Sequence, residues 1–376
     1  MVPLESNIPY MDRDHIVVDK NNPKDRTNEI IEIGLLPNSS EIPQPIKNIH
    51  DYLANPGNYK VDTLDIQVSW DYRVDELRDG RIVILDIVKD ALVEYDLQTK
   101  KSNIIAEFGH GPGELAFSRD LTTDGSFVYV ARADQKISIY NCRVEPCLFD
   151  KSITLDREAF SVALVGVDSF AIQGPVTLRQ AGPDPILDKL ENFKVEAVQV
   201  ISRDAKQGHT FGATYDTKGH WMLIKPFVSE GNIGYIEKLN LYILSFSRFP
   251  LLYIYDRGGN LLRVFRVENF IIGHQKYWAN SGKLEVILND YSTIVSKVIS
   301  NDNYIFVEVA TKTNSRVENY AFNWDIERDY YCIDVANNES YYLGHVLSSE
   351  NISRIVPLTG GLLLEREGTF FYAHKR

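Results

Sequence analysis

Cysteine is scarce in this chain, with only Cys142, Cys147 and Cys332 among 376 residues. Three thiols cannot build a disulfide scaffold, and they fall short of a structural zinc site. Cys142 and Cys147 flank a Glu-Pro turn in NCRVEPC, so either a local bridge pins a hairpin there or all three thiols stay free. Methionine is also rare, at three residues. Ala-Leu-Glu-Lys runs are few, which argues against a helical protein. No run of 18 or more apolar residues occurs, so no transmembrane helix is expected. The opening MVPLESNIPYMDRDHIVVDK has no basic stretch leading into an apolar one, so no signal peptide is visible. Either the protein is cytoplasmic, or it is a mature form whose leader has been replaced by Met1. Positive charge is the minority sign, with 40 Lys and Arg against 52 Asp and Glu. The net charge of −12 disfavours nucleic acid and anionic membranes as partners.

Familiar catalytic signatures are missing as well. GHGPG (109–113) has neither the Lys-Ser/Thr of a Walker loop nor a helix after it, so it is not read as a phosphate loop. The eight histidines are His15, His50, His110, His209, His220, His274, His345 and His374, and none form an H-x-x-x-H pair. There is no G-x-S-x-G elbow and no D-x-D-x-D-G calcium loop. Catalytic residues and metal ligands are therefore left unassigned.

Aromatic residues are plentiful, at 21 Tyr and 17 Phe, many of them beside Val and Ile. That mix suits pleated, half-buried strands. The strand-like runs also repeat. RDGRIVILDIVKDALVEYDLQTKK (78–101), TDGSFVYVARADQKISIYNCRVEP (123–146) and LNLYILSFSRFPLLYIYDRGGNLLRVF (239–265) share one grammar. A β-rich run (IVIL, VYVA, LYIL) is followed by a second that ends in VEYD, SIYN or YIYD, and the closing Asp or Asn opens the next turn. Weaker copies stand at 165–174 with 195–208, at 300–309 with 330–344, and at 357–375. The six first runs lie near 82, 128, 170, 241, 305 and 362, with loop insertions at 175–194, 209–228 and 268–290. An earlier strand precedes each, within 64–77, 117–124, 159–167, 232–240, 292–301 and 352–360.

Four strands per unit with no helical period between them predict blades rather than βαβ units. The expected fold is all-β: a six-bladed β-propeller with four antiparallel strands per blade. The last unit ends at Arg376 after three strands, and the apolar NEIIEIGLL (28–36) is expected to supply its missing outer strand and close the ring. Residues 1–60 are then a polar lead-in (1–27), this closing strand and a proline-rich connector (37–60) with a short helix near 46–54. Residues 61–376 form the propeller, one domain overall.

FGHGPGELAFSRDLTTDGSFVYVARADQKISIYN (108–141) resembles the connection between blades in six-bladed propeller proteins of Bacteroidota, relatives of NHL-repeat and TolB-like propellers. Gly109, Gly111, Pro112, Gly113 and Glu114 carry the likeness. It is good over 64–141, fair over 230–267, and elsewhere rests on blade grammar alone. The chain departs from the pattern at Asn141, where Asp is usual, and in its insertion in the third blade. Physically, the three glycines suit a chain that must take positive φ while crossing between blades, and Glu114 can accept freed backbone N–H groups. The resemblance implies a lipoprotein leader, now removed, and a place in the periplasm or on the cell surface.

Propeller geometry puts a site where the inner strands line the channel, with the loops leading into them as one rim. The residues expected there are Trp70, Tyr72, Arg119, Asp120, Phe160, Asn232, Tyr291 and Asn351, aromatics, an Arg and amides that suit a sugar or a peptide end. His209, His220, Trp221 and Trp278 are expected in the insertions. The function expected is non-enzymatic recognition of a protein, peptide or glycan by a monomer without cofactor, through one rim and the insertions of blades three to five. The alternative is a lactonase-like hydrolase or lyase with calcium or zinc at the channel mouth. A TolB-like assembly component is a third class.

Overall fold

The computed structural model describes residues 33–34, 43–69, 71–174, 196–204, 206–212, 231–247, 251–267, 275–280, 283–288, 293–301, 303–318, 321–347, 352–366 and 368–376. Ahead of the first blade come β1 (Ile33–Gly34), helix α1 (Gln44–Ala54) and β2 (Tyr59–Leu64). The first blade is β3 (Tyr72–Glu76), β4 (Arg81–Asp86), β5 (Ala91–Asp96) and β6 (Lys101–Ala106). The second is β7 (Ser118–Thr123), β8 (Phe127–Arg132), β9 (Lys136–Asn141) and β10 (Leu148–Thr154). The third is β11 (Ser161–Val165), β12 (Ser169–Gln173), β13 (Val198–Ser202) and β14 (Gln207–Phe211). The fourth is β15 (Gly231–Ile236), β16 (Leu241–Phe246), β17 (Leu251–Asp256) and β18 (Leu261–Arg266). A hairpin, β19 (Gln275–Asn280) and β20 (Lys283–Leu288), follows. The fifth blade is β21 (Thr293–Asn301), β22 (Tyr304–Glu318), β23 (Ala321–Asp334) and β24 (Glu339–Leu347). The sixth is β25 (Arg354–Leu358), β26 (Gly361–Arg366) and β27 (Thr369–Lys375).

Every blade is an antiparallel meander, and packing between blades makes the ring. Six buried apolar clusters each join one sheet to its neighbour. Val83 and Leu85 of β4 meet Val128 and Val130 of β8. Tyr129 and Ile139 meet Phe170 and Ile172. Further round, Val198 and Phe211 meet Tyr253 and Tyr255, and Ile243 and Ile254 meet Ile305 and Val307. Phe306 and Tyr330 join Ile355 and Leu362, and Leu363 and Phe370 return to Ile82 and Ile84 of the first blade. A lone four-stranded sheet leaves both faces wet; here each face is covered by the next sheet, which is why the repeat closes on itself. The first strands adjoin one another around the centre, β3 with β7, β7 with β11, β11 with β15, β15 with β21 and β25 with β3.

Turn chemistry follows the expected form. Asp96 accepts from the Gln98 and Thr99 N–H groups at 2.7 and 3.1 Å. Asp256 accepts from Gly258 and Asn260 at 2.8 and 2.9 Å. Asn141, the substitute for Asp in the second blade, accepts from Arg143 N–H at 3.1 Å. In the crossing loop, Glu114 accepts the Gly111 N–H at 2.7 Å. Only Gly113 of its three glycines has positive φ, at 83°. Gly109 and Gly111 are there for room instead: a Cβ on Gly109 would lie 2.1 Å from the Glu114 carboxylate.

The ends of the chain differ from expectation. The outer strand of the sixth blade is β2, paired antiparallel with β27 from Tyr59–Lys375 to Leu64–Phe370. Of the expected closing strand 28–36, only Ile33–Gly34 is described, and it lies parallel to β24 of the fifth blade. The reason is burial. An outermost strand buries little, and in YKVDTL only Tyr59 and Leu64 are buried, so apolarity pointed to the wrong segment. The expected helix near 46–54 is α1; its Ile46, Ile49 and Tyr52 seal the joint between the fifth and sixth blades. The fifth blade adds a feature that periodicity did not show. β22 and β23 stay paired out to Glu318–Ala321, forming a long ribbon through a mostly polar stretch.

Candidate functional site

A cavity of about 760 Å³ opens at one end of the channel. Its walls are the first strands of four successive blades, β3, β7, β11 and β15, and the turns that leave them, with Arg143 and Arg203 added from the β9–β10 and β13–β14 connections. Asp120 and Asn232 stand in this wall. Both are buried, at 9% and 8% exposure, and both stitch blades together. The Asp120 carboxylate accepts from Ser161 Oγ at 2.6 Å and Val162 N–H at 3.1 Å, and the Arg73 guanidinium approaches its other oxygen at 3.9 Å. Ser161 Oγ in turn accepts the Ile233 N–H at 3.2 Å. Asn232 donates to the Val295 carbonyl of the fifth blade at 3.4 Å. A chain of polar contacts thus runs from the first blade to the fifth along the inner strands, each step satisfying a buried group that would otherwise cost free energy.

At the open end the cavity wall includes the turn between β7 and β8, Asp124 to Ser126. Asp124 accepts from Ser126 and Phe127 N–H at 2.9 and 2.8 Å, from Tyr129 OH at 2.8 Å and from Arg203 Nη2 at 3.0 Å. Burial pushes the Asp124 carboxyl up, but these bonds together outweigh it and hold the group below the usual carboxylate range. The Tyr129 phenol is pushed up, by burial first and then by Asp124. Three arginines gather on this one turn. The Arg78 backbone N–H donates to the Gly125 carbonyl at 3.2 Å, and the Arg78 side-chain stem lies where a Gly125 Cβ would point. Arg143 stacks over Phe127, at 4.8 Å from the ring centre. Arg203 stacks on Tyr129 at 4.9 Å and on Phe170 at 5.7 Å.

The Arg143 loop is closed by a disulfide between Cys142 and Cys147, which settles the alternative left open by the sequence. The loop is anchored on the first blade. Arg81 donates to the Cys142 carbonyl at 2.6 Å, and Glu94, fully buried and 3.0 Å from Arg81 Nη1, accepts the Cys147 N–H at 2.9 Å. Cys332 is buried and free; burial, then Asp334, push its thiol up to about 12.

The structure brings only some of the expected residues together. Tyr72 lies in the joint between first and sixth blades, 1% exposed, donating to Glu365 at 2.9 Å beneath the Arg354 guanidinium. Arg119, at the irregular second position of β7 rather than on its entry loop, lies over the Phe160 ring at 5.4 Å, and Phe160 ends the loop into β11. His209 is not in an insertion but in the outer strand β14, stacked on Phe211. Trp278 falls in β19. Trp70, Tyr291, Asn351, His220 and Trp221 lie outside the described residues. Among the described residues, no group of three or more His, Cys, Asp or Glu side chains is placed to share a metal ion. No helix among them is long and apolar enough to cross a membrane.

Sequence reasoning missed Arg78, Arg143 and Arg203. It favoured the loops leading into the inner strands, whereas this cavity is walled by those strands, by the turns that leave them and, for Arg143 and Arg203, by the connections between third and fourth strands. The Asp-Gly pairs at 79–80 and 124–125 mark two of those turns and were the available signal.

No family model matches the chain, and no curated protein matches it either. Solved structures do. One is a protein of Bacteroides fragilis described as exported, at 10% identity over 93% of this chain and 100% of that one, with a TM-score of 0.51. Another is a member of the DUF4221 family from Bacteroides vulgatus, also at 10% identity, over 85% of this chain and 96% of that one, with a TM-score of 0.51. Likeness at that identity establishes the shared fold, a six-bladed β-propeller.

Proposed function

We propose that this chain is an extracytoplasmic binding propeller that recognises a protein, peptide or glycan partner at one end of its channel. The observation that carries this is the cavity of about 760 Å³, a volume within the range of roughly 300–1,000 Å³ usual for ligand sites. Four blades build it, so its walls are rigid while its turns are free to vary, the usual division between scaffold and recognition. The hydroxyls of Thr122 and Ser126 line it and can orient a polar ligand, while those of Thr123 and Ser161 and the Asn232 amide stiffen the wall through bonds within the protein. The Cys142–Cys147 bridge supports an oxidising compartment, the periplasm or the cell surface. The Bacteroides fragilis neighbour, described as exported, points the same way. In this role the protein works as a monomer, held by a lipid on an upstream leader, and the insertions of blades three to five extend the contact surface.

Equilibrium binding of peptide and glycan arrays to the purified protein tests the proposal. Thr122→Trp places an indole in the cavity and should abolish the binding found. Lys101→Trp, on the outer strand of the first blade, should leave it intact. Equal binding by both variants, or hydrolysis or elimination of the bound compound, would overturn it.

A further inference from the structure

The proposed binding role can be narrowed by asking which charges of the cavity are already spent. We infer that the cavity mouth is an oxyanion site that takes an acidic oligosaccharide, one bearing carboxylate or sulfate groups, through Arg78 and Arg143, with Lys238 alongside. This rests on the binding role proposed above and specifies its ligand.

The buried and half-buried carboxylates of the wall are occupied, and the one exposed carboxylate, Glu237, stands beside Lys238 and away from the two arginines in sequence. Asp124 accepts four bonds from within the protein. Asp120 accepts from Ser161 and Val162, and Asp75 accepts from the Thr123 and Glu76 N–H groups. The cations divide differently. Arg203 is committed to Asp124. Arg78, Arg143 and Lys238 line the same cavity, are exposed, and have no ion-pair partner among the described residues. In a chain of net charge −12, uncommitted cations at a cavity mouth run against the overall field, and a local anion is what they complement.

The way the two arginines are held matters as much as their charge. Each is seated through a part that donates nothing. Arg143 holds its guanidinium carbon over the Phe127 ring, a contact that uses none of its N–H groups. Arg78 rests its methylene stem over Gly125, which has a φ of 84° and no side chain to displace it. Seating lowers the rotamer entropy that a free arginine loses on binding, and the fork matches the two oxygens of a carboxylate or sulfate. The disulfide fixes Arg143 further, because the loop that carries it is closed by Cys142–Cys147 and clamped to Arg81 and Glu94.

A saccharide fits the remainder of the cavity better than an acidic peptide does. Beside the arginines the wall offers the hydroxyls of Thr122 and Ser126, that of Thr123 being spent on the Phe127 carbonyl and the Gly125 N–H. Most of its apolar members, Leu121, Val162 and Ala163 among them, are buried in the blades, which confines apolar contact with a ligand to Leu164, Tyr235 and the exposed Val167. Sugar hydroxyls can exchange bonds with such a surface, while carboxylates or sulfates spaced along the sugar chain reach the mouth.

The test is calorimetric titration of the full chain with matched pairs: oligogalacturonate and its methyl ester, a sulfated glycosaminoglycan fragment and its desulfated form, and oligoglutamate as the peptide arm. At least one acidic sugar should bind, its neutral counterpart at least tenfold more weakly. Arg78→Gln and Arg143→Gln should each weaken it about fivefold to twentyfold, with unfolding midpoints unchanged because both residues are exposed. Arg143→Lys should recover only part of the loss, since an ammonium keeps the charge but not the fork. Neutral sugars binding as well as charged ones, or oligoglutamate binding in preference, would overturn the inference while leaving a binding propeller in place. No binding by any sugar or peptide would overturn both.

Discussion

At the scale of single residues, charge buried between blades does the joining. Glu308, 1% exposed, is clasped by Arg354 Nε at 3.0 Å and approached by Arg328 Nε at 3.8 Å. Arg354 reaches on to the Tyr72 carbonyl at 3.3 Å and lies over the Tyr72 ring. One carboxylate of the fifth blade therefore holds a cation of the sixth against the first. Burial alone would pull the Arg354 guanidinium down; Glu308 outweighs it and pushes the group up. Removing one member of such a set strands a buried charge, which typically costs about 3–5 kcal/mol, whereas replacing both partners with apolar residues costs far less. Glu308→Ala should lower stability by about that amount in denaturant unfolding. The pair Glu308→Leu with Arg354→Met should recover much of it. A double variant as unstable as the two single losses added together would show that the residues act independently of their charge.

At the scale of elements, what could be read from the sequence followed burial. The inner and middle strands were legible because they are buried on both faces. β4 is buried at all six positions, and β17 at all but its last. Outer strands were not, since β6, β10 and β2 each have only one or two buried positions. The closing strand was sought in the apolar stretch 28–36 for that reason. The β22–β23 ribbon escaped notice because its outer half reads as polar. The candidate site was harder still. Arg78, Arg143 and Arg203 are far apart in the chain and meet only through the radial arrangement of three blades, so spacing carried no trace of them. The Cys142–Cys147 loop was legible as a pair of cysteines around a turn, and its partners on the first blade were not. A loop this short gives a modest chain-entropy effect of about 2 kcal/mol. Cys142→Ser with Cys147→Ser should lower the unfolding free energy by roughly that much. Thiol counting on the oxidised protein should find none reactive in the native state at pH 8, because the Cys332 thiol is buried and pushed up to about 12. One should appear on unfolding. Three reactive thiols in protein isolated without reductant would remove the bridge, and with it the argument from redox compartment.

At the scale of the whole molecule, a propeller has no single core to fall back on. It has six joints, and a ring with one open joint exposes two faces at once. The sixth blade is the vulnerable one because its fourth strand comes from the opposite end of the chain. β2 covers the outer edge of β27, and α1 packs beside it on the joint of the fifth and sixth blades. Lys375 pairs with Asp51 of α1 at 2.8 Å, and Tyr59 OH donates to the Asn48 carbonyl at 3.2 Å, so helix and strand act as one clasp. A chain that begins at Asp65 would lose the buried side chains of Ile46, Ile49, Tyr52, Tyr59 and Leu64. At roughly 1.5–3 kcal/mol each these come to roughly 10 kcal/mol, which is comparable to the whole stability of a domain. It would also leave β27 as an exposed edge, open to pairing with another copy. Such a chain should be recovered as aggregate or as oligomers joined through β27, with no cooperative unfolding transition. A chain that begins at Pro43 keeps the clasp and should unfold cooperatively as a monomer. If the chain starting at Asp65 were monomeric and folded, the sixth blade would be stable with three strands, and β2 would be an ornament on the ring rather than its fastening.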